Sequence, residues 1–195
     1  MSITFSRKNN CAHNLIFNQN TTRPNKCDGF TLVELIVVVV VIGILSSIAI
    51  PSFTNYADKV KQKEATVAIN AYLKAAQAYS AEYSALPQNS SDISQFVNIQ
   101  ACCYGCSGRQ DPTYCRRNPS ISLDNVKARS WNLTSGLYAI GIYPSSTQVQ
   151  FTANPTAWFQ GRGYGVSGCF SMTSGTMKLF ESKNRNHLTP PPSCQ

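Results

Sequence analysis

The chain has 195 residues, of which 13% are charged, with 17 Lys and Arg against 9 Asp and Glu for a formal charge of +8. Setting aside residues 1–29 and one long apolar stretch leaves roughly 140 residues, room for one domain with a modest core. Beyond residue 29 there is a single histidine, His187 in a proline-rich tail, and no nucleophile motif or paired-acid cluster, so no enzyme and no cofactor is expected.

Residues 1–29 carry Arg7, Lys8, Arg23 and Lys26 against Asp28, a net +3, and the remaining 13 Lys and Arg against 8 Asp and Glu give +5. The longest apolar run in this segment, Leu15–Phe17, is too short to be the core of an ordinary secretory signal. From Phe30 to Ile50 the chain reads FTLVELIVVVVVIGILSSIAI, 21 residues whose only charge is Glu34. As a helix this is roughly 31 Å long, about the hydrocarbon thickness of a bilayer. Basic residues ahead of a membrane helix hold that end in the cytoplasm, so the part after Pro51 is expected to be translocated. No small-residue cleavage signal follows the apolar run, so processing is expected ahead of it.

After Pro51 the pattern stays helical and becomes amphipathic. Tyr72, Ala75, Tyr79, Tyr83 and Leu86 recur every three or four residues, and Val60, Val67, Ala68 and Ala71 extend the stripe upstream. Asp58, Lys59, Lys61, Lys63, Glu64, Lys74 and Glu82 fall mostly off it. One helix from residue 30 to about 85 is predicted, bent near Gly43 and Pro51, with Pro87 as its stop. Asn89–Asn98 suits a short helix capped by Asn89 or Ser90, and Gln100–Asn118 reads as a loop rich in Cys, Gly and Arg. Strand-like runs follow at Ser130–Leu133, Leu137–Tyr143, Gln148–Ala153, Cys169–Thr173 and Thr176–Phe180, separated by short turns. Short connections imply an antiparallel sheet that one helix face covers. The expected class is α+β: a long N-terminal helix, half transmembrane and half amphipathic, packed on an antiparallel sheet. Its divisions are 1–29, a basic leader; 30–51, the membrane helix; 52–87, the amphipathic stem; and 88–195, a head held by disulfides.

Six cysteines follow the membrane stretch: Cys102, Cys103, Cys106, Cys115, Cys169 and Cys194. In a translocated domain they suggest up to three disulfides, with 15 connectivities open. Cys102 and Cys103 should take different partners, because a bond between neighbours is strained. Cys103 and Cys106, with Cys102 and Cys115 nearby, also have zinc-like spacing, but an oxidising compartment favours disulfides and no metal is assigned. Gly163-Tyr164-Gly165-Val166-Ser167-Gly168 matches a dinucleotide fingerprint formally. It is followed by a strand-like run where a helix is required, so it reads as a flexible turn.

Arg109, Arg116, Arg117, Lys127 and Arg129 face only Asp111 and Asp124 over their interval, with Tyr104, Tyr114 and Trp131 near in sequence. That mixture suits single-stranded nucleic acid or another anionic surface, and equally a solvated loop that aids solubility or subunit contact.

Lys26-Cys27-Asp28-Gly29 followed by Phe30-Thr31-Leu32-Val33-Glu34-Leu35 resembles the processing site of type IV pilins and pseudopilins. The resemblance implies cleavage after Gly29 by a prepilin peptidase, N-methylation of Phe30, and passage of the head across the inner membrane. It also implies polymerisation with other pilin subunits by a pilus or secretion machinery into a periplasmic or extracellular filament. Glu34 matches the family's glutamate and Pro51 its helix-kinking proline. The stem from Lys61 to Tyr83 is similar to cyanobacterial pilin stems. The family pattern also implies that Cys169 and Cys194 close the C-terminal region, and the six-cysteine head leans towards a minor or specialised pilin.

The charge at Glu34 has its own physics. A lone carboxylate in a membrane helix costs on the order of 3 kcal/mol and needs a partner. Cleavage before Phe30 would create an α-amine one helical turn away, which can also meet Glu34 of a neighbouring subunit. The alternative is a carboxylate that snorkels to water.

Overall fold

A computed structural model describes residues 30–104, 112–185 and 194, apart from the side chain of Pro51. Contacts divide these residues into a unit that ends at Ile44 and a unit that begins at Leu45. Helix α1 runs over Leu32–Tyr83. It continues through Gly43 and through Pro51, whose missing N–H removes one hydrogen bond without ending the helix. The stop comes before Pro87, at Ser84, which takes φ 49°. That left-handed turn is what breaks the helix.

The rest of the second unit is a sheet with two short helices. Helix α2 is Ser90–Ser94, capped by Asn89, whose side chain accepts from Ser91 N–H at 3.0 Å. Strand β1 is Gln100–Tyr104, α3 is Pro112–Arg117 and β2 is Ile121–Ser122. Strands β3 (Ser130–Leu133), β4 (Tyr138–Pro144), β5 (Gln148–Pro155), β6 (Val166–Ser171) and β7 (Met177–Glu181) follow. The sheet order is β2-β1-β3-β4-β5-β6-β7, antiparallel at every pairing. Five strands thus form a meander, as the short turns between apolar runs predict. Strands β1 and β2 and helix α3 lie in or beside the segment read as loop, because QACCY shows no alternation and β2 has only two residues.

Period-two patterning sets the two faces. In β5, Val149, Phe151 and Ala153 are fully buried, and Gln148, Gln150 and Asn154 on the alternate positions are partly exposed. The core face lies under α1, where Ala65, Ile69, Tyr72, Leu73, Ala75 and Ala76 are buried. Ile69 and Leu73 each gain about 2 kcal/mol from that burial. The alanines let the helix lie close to the sheet. Gly168 of β6 shows how close: a Cβ there would sit 2.6 Å from Leu73 Cδ1 and 3.0 Å from Ile69 Cγ2. The fingerprint segment is therefore no free turn. Val166, Ser167 and Gly168 are strand residues, and Gly168 is the seat of the helix.

The buried stripe is also rotated from the one expected. Val60 and Val67 are 70% and 69% exposed, and Tyr83 is about half exposed. They form a second apolar stripe, and periodicity alone cannot say which of two stripes a sheet will cover. Trp131 is also inside, edge-on to Tyr72 with ring centroids 5.5 Å apart.

Candidate functional site

Phe30 is 82% exposed and lies two residues ahead of Leu32, where α1 begins. Thr31 N–H and Thr31 Oγ1 both donate to Glu34 Oε2 at 2.9 Å, and Glu34 N–H donates to Thr31 Oγ1 at 3.2 Å. This is a capping box, in which a threonine and the glutamate three residues on satisfy each other's orphan backbone donors. Glu34 thus has a local partner within its own chain, Thr31, in addition to the α-amine and the water considered above. Its signal was present in Thr31-Leu32-Val33-Glu34 ahead of an apolar run. Gly29, the residue expected to precede the cut, lies outside the described residues.

Beyond Glu34 the helix is apolar without cover. From Phe30 to Phe53 the large apolar side chains are 47% to 82% exposed. The segment is long and apolar enough to cross a membrane, and none of it is buried in the fold. An exposed apolar surface of this extent marks a membrane or subunit contact.

Where the stem meets the head, polar clamps join α1 to the sheet. Asp58, buried at 2% exposure, accepts from Arg162 at 3.1 Å and from Lys61 at 3.4 Å, and Lys61 also lies over the ring of Phe159. Gln62 donates to the carbonyls of Ser182 and Gly165 at 3.2 and 3.4 Å. Glu181 at the end of β7 accepts from Lys63 at 2.8 and 3.0 Å and from Thr66 at 2.6 Å. Hydrogen bonds from Lys63 and then Thr66 hold the Glu181 carboxyl below its ordinary value. Burial pushes Glu64 the other way, against a hydrogen bond from Ser135.

A disulfide joins Cys102 on β1 to Cys115 on α3, and another joins Cys169 on β6 to Cys194. Cys103 is disulfide-bonded as well, and its neighbour Cys102 takes a different partner. Cys106 lies outside the described residues. Cys194 is held further by its N–H to Gln148 Oε1 at 2.9 Å and by Thr176 Oγ1 to its carbonyl at 3.0 Å.

The basic residues do not converge. Arg116 and Arg117 end α3, which packs by Cys115 and Pro112 on Gly136 in the turn after β3. Lys127 and Arg129 precede β3, and the length of that strand, roughly 13 Å, separates the two pairs. All four are exposed, as are Tyr104 and Tyr114, but buried Trp131 offers no platform. Arg109 lies outside the described residues.

Residues 24–50 match the family model for the prokaryotic N-terminal methylation motif. Type II secretion system core protein G of Aeromonas hydrophila is 30% identical over 97 residues, which cover 50% of this chain and 68% of that protein. The chain belongs to the type IV pilin and pseudopilin family. The major pilin PilA of Myxococcus xanthus is 44% identical over 54 residues, 28% of this chain and 24% of that pilin. A fimbrial protein of Pseudomonas aeruginosa is 43% identical over 49 residues, 25% of this chain and 32% of that protein. The chain therefore matches a quarter to a third of these two pilins, far less than their full length. No solved structure matches the chain. These relatives are pilins and a secretion core protein, and this chain, a member of their family, has the α+β architecture described above.

Proposed function

We propose that the chain is a prepilin cut between Gly29 and Phe30, N-methylated at Phe30, held in the inner membrane by residues 30–51, and then polymerised through that helix into a filament. The carrying observation is the uncovered apolar surface from Phe30 to Phe53, with one carboxylate at its entrance. In the membrane its solvent is lipid; in a filament it is the helices of other subunits. The cut would leave a cationic terminus on Phe30, beside the oxygen of Glu34 that accepts from Thr31. A neighbour's terminus could take that carboxylate's charge, which sets the register between subunits, and Pro51 marks the position at which the stem changes surroundings. The six-cysteine head leans towards a minor or specialised pilin.

Glu34→Ala tests the assembly role. It leaves a buried α-amine without its counter-charge, a loss of about 3 kcal/mol or more per subunit contact. The variant should be processed and inserted normally and be depleted at least about tenfold from assembled filaments. Normal assembly removes the role. A second reading, a pseudopilin of a type II secretion system, is favoured by the relative matched over 68% of its length, a secretion core protein. Trace amounts in sheared surface filaments support the minor-pilin reading; absence there, with a secretion defect on deletion, supports the pseudopilin.

A further inference from the structure

In the unit that begins at Leu45, the exposed apolar side chains Ile48, Ile50 and Phe53 are followed by exposed Tyr56. Lys59, Lys61 and Lys63 come next on α1, and the fold returns Lys183 and Arg185 to the same turns from the end of β7. Between them lies a cleft of about 460 Å³, lined among others by Lys59, Gln62, Lys63, Tyr164, Glu181 and Lys183. A hollow of about 220 Å³ shares Lys59 and is lined by Ser52, Asn55 and Tyr56. Arg185 donates to Asn55 Oδ1 and, at 3.3 Å, to the hydroxyl of Tyr164, whose ring it also faces at 5.7 Å. Tyr164 accepts there, which leaves its own O–H to donate. The cleft's one carboxylate, Glu181, is occupied by Lys63 and Thr66. Lys59 and Lys183 make no ion pair among the described residues. The cleft therefore presents Lys59 and Lys183 without a compensating acid among the described residues.

We propose that this cleft holds the phosphate of an anionic phospholipid headgroup while the subunit resides in the membrane. The inference rests on the membrane-spanning reading above. Position favours it. Aromatic residues such as Tyr56 sit at headgroup level, and Lys59 lies about 12 Å of helix rise beyond position 51, where the membrane segment ends. The headgroup zone is roughly 5–7 Å deep on each side of the hydrocarbon, and a lysine stem spans the remainder. Charge favours it too. Lysines on a translocated flank oppose the positive-inside bias, so Lys59, Lys61 and Lys63 run against the topology the leader imposes. Lys61 is used by Asp58; Lys59 is left for the cleft.

The test uses the processed full-length chain, reconstituted in phosphatidylcholine vesicles with trace spin-labelled phosphatidylglycerol or spin-labelled phosphatidylcholine. Electron paramagnetic resonance reads the fraction of each lipid motionally restricted by the protein. The expected result is about fivefold preference for the anionic lipid, weakened by salt and unaffected by millimolar glycerol phosphate. Lys59→Gln with Lys183→Gln should bring the preference near unity, whereas Arg116→Gln with Arg117→Gln should leave it intact. Equal restriction of the two lipids overturns the proposal, as does a preference that survives the cleft substitutions. Displacement by glycerol phosphate also overturns it, in favour of a soluble phosphate ligand. If the cleft variant keeps its lipid preference but loses cross-linking between subunits, the cleft serves a neighbour's carboxylates instead. A chain washed from the vesicles at alkaline pH overturns the membrane reading itself, before any lipid preference is measured.

Discussion

Glu34 has one task in this structure, and a second only in the filament proposed above. In the isolated chain the carboxylate completes a capping box, which satisfies backbone donors at the start of α1. Thr31→Ala should cost about 1 kcal/mol of helix-start stability, visible as faster amide exchange at Leu32 and Val33 with the head unaffected. Two other carboxylates set opposite pH slopes. Glu181 is held low by Lys63 and Thr66, so the unfolded chain takes up this proton first. Its stabilisation is full above the ordinary carboxylate value of 4.5 and is lost as pH falls through the lower folded value. Glu64 is raised by burial, so the folded chain takes up that proton first. Its charge costs stability above the raised value, and the cost shrinks as pH falls through it and is gone below the ordinary value of 4.5. Melting curves against pH should show Glu64→Gln more stable than the parent at pH 7. Glu181→Gln should be less stable there, and its deficit should shrink under acid. Gly168→Val should cost about 2 kcal/mol by overpacking against Leu73 and Ile69. Adding Leu73→Ala should recover part of that loss if close approach is the cause.

At the scale of elements, α1 is one helix with two apolar stripes and a change of surroundings along its length. The sequence made the helix legible from Leu32 onward, because the spacing of Tyr72 and Ala75 repeats over many turns. It could not say whether Val60 and Val67 or Ile69 and Leu73 meet the sheet, since both sets lie at helical spacing and only the tertiary fold chooses. The meander was legible from alternation and turn residues, with ends within a few residues of those observed. Strand β1 was not, because two adjacent cysteines have no period and its partner β3 is distant in sequence. The Cys169–Cys194 bond ties the tail to β6 across a separation of 25 residues. Cys169→Ser should cost about 3 kcal/mol through the freed chain entropy, read as a fall in Tm of roughly 6–12 °C for the detergent-solubilised chain.

On the scale of the whole molecule, the processing motif was the most legible feature. Residues 24–50 match the N-terminal methylation motif, and the cut proposed after Gly29 depends on residues close in sequence more than on the fold. The basic residues were the least legible. Arg116 and Lys127 are near in sequence, yet β3 holds their segments at opposite ends, and the cations that do share a cleft, Lys59 and Lys183, come from distant parts of the chain. The proposed function depends on the apolar helix being the permanent N-terminus of the working subunit. Intact mass and N-terminal peptide spectra of the chain extracted from native membranes test this most directly. The expected chain begins at Phe30 and carries one added methyl group on its α-amine. A chain that retains residues 1–29, or one that begins beyond Pro51, would contradict it.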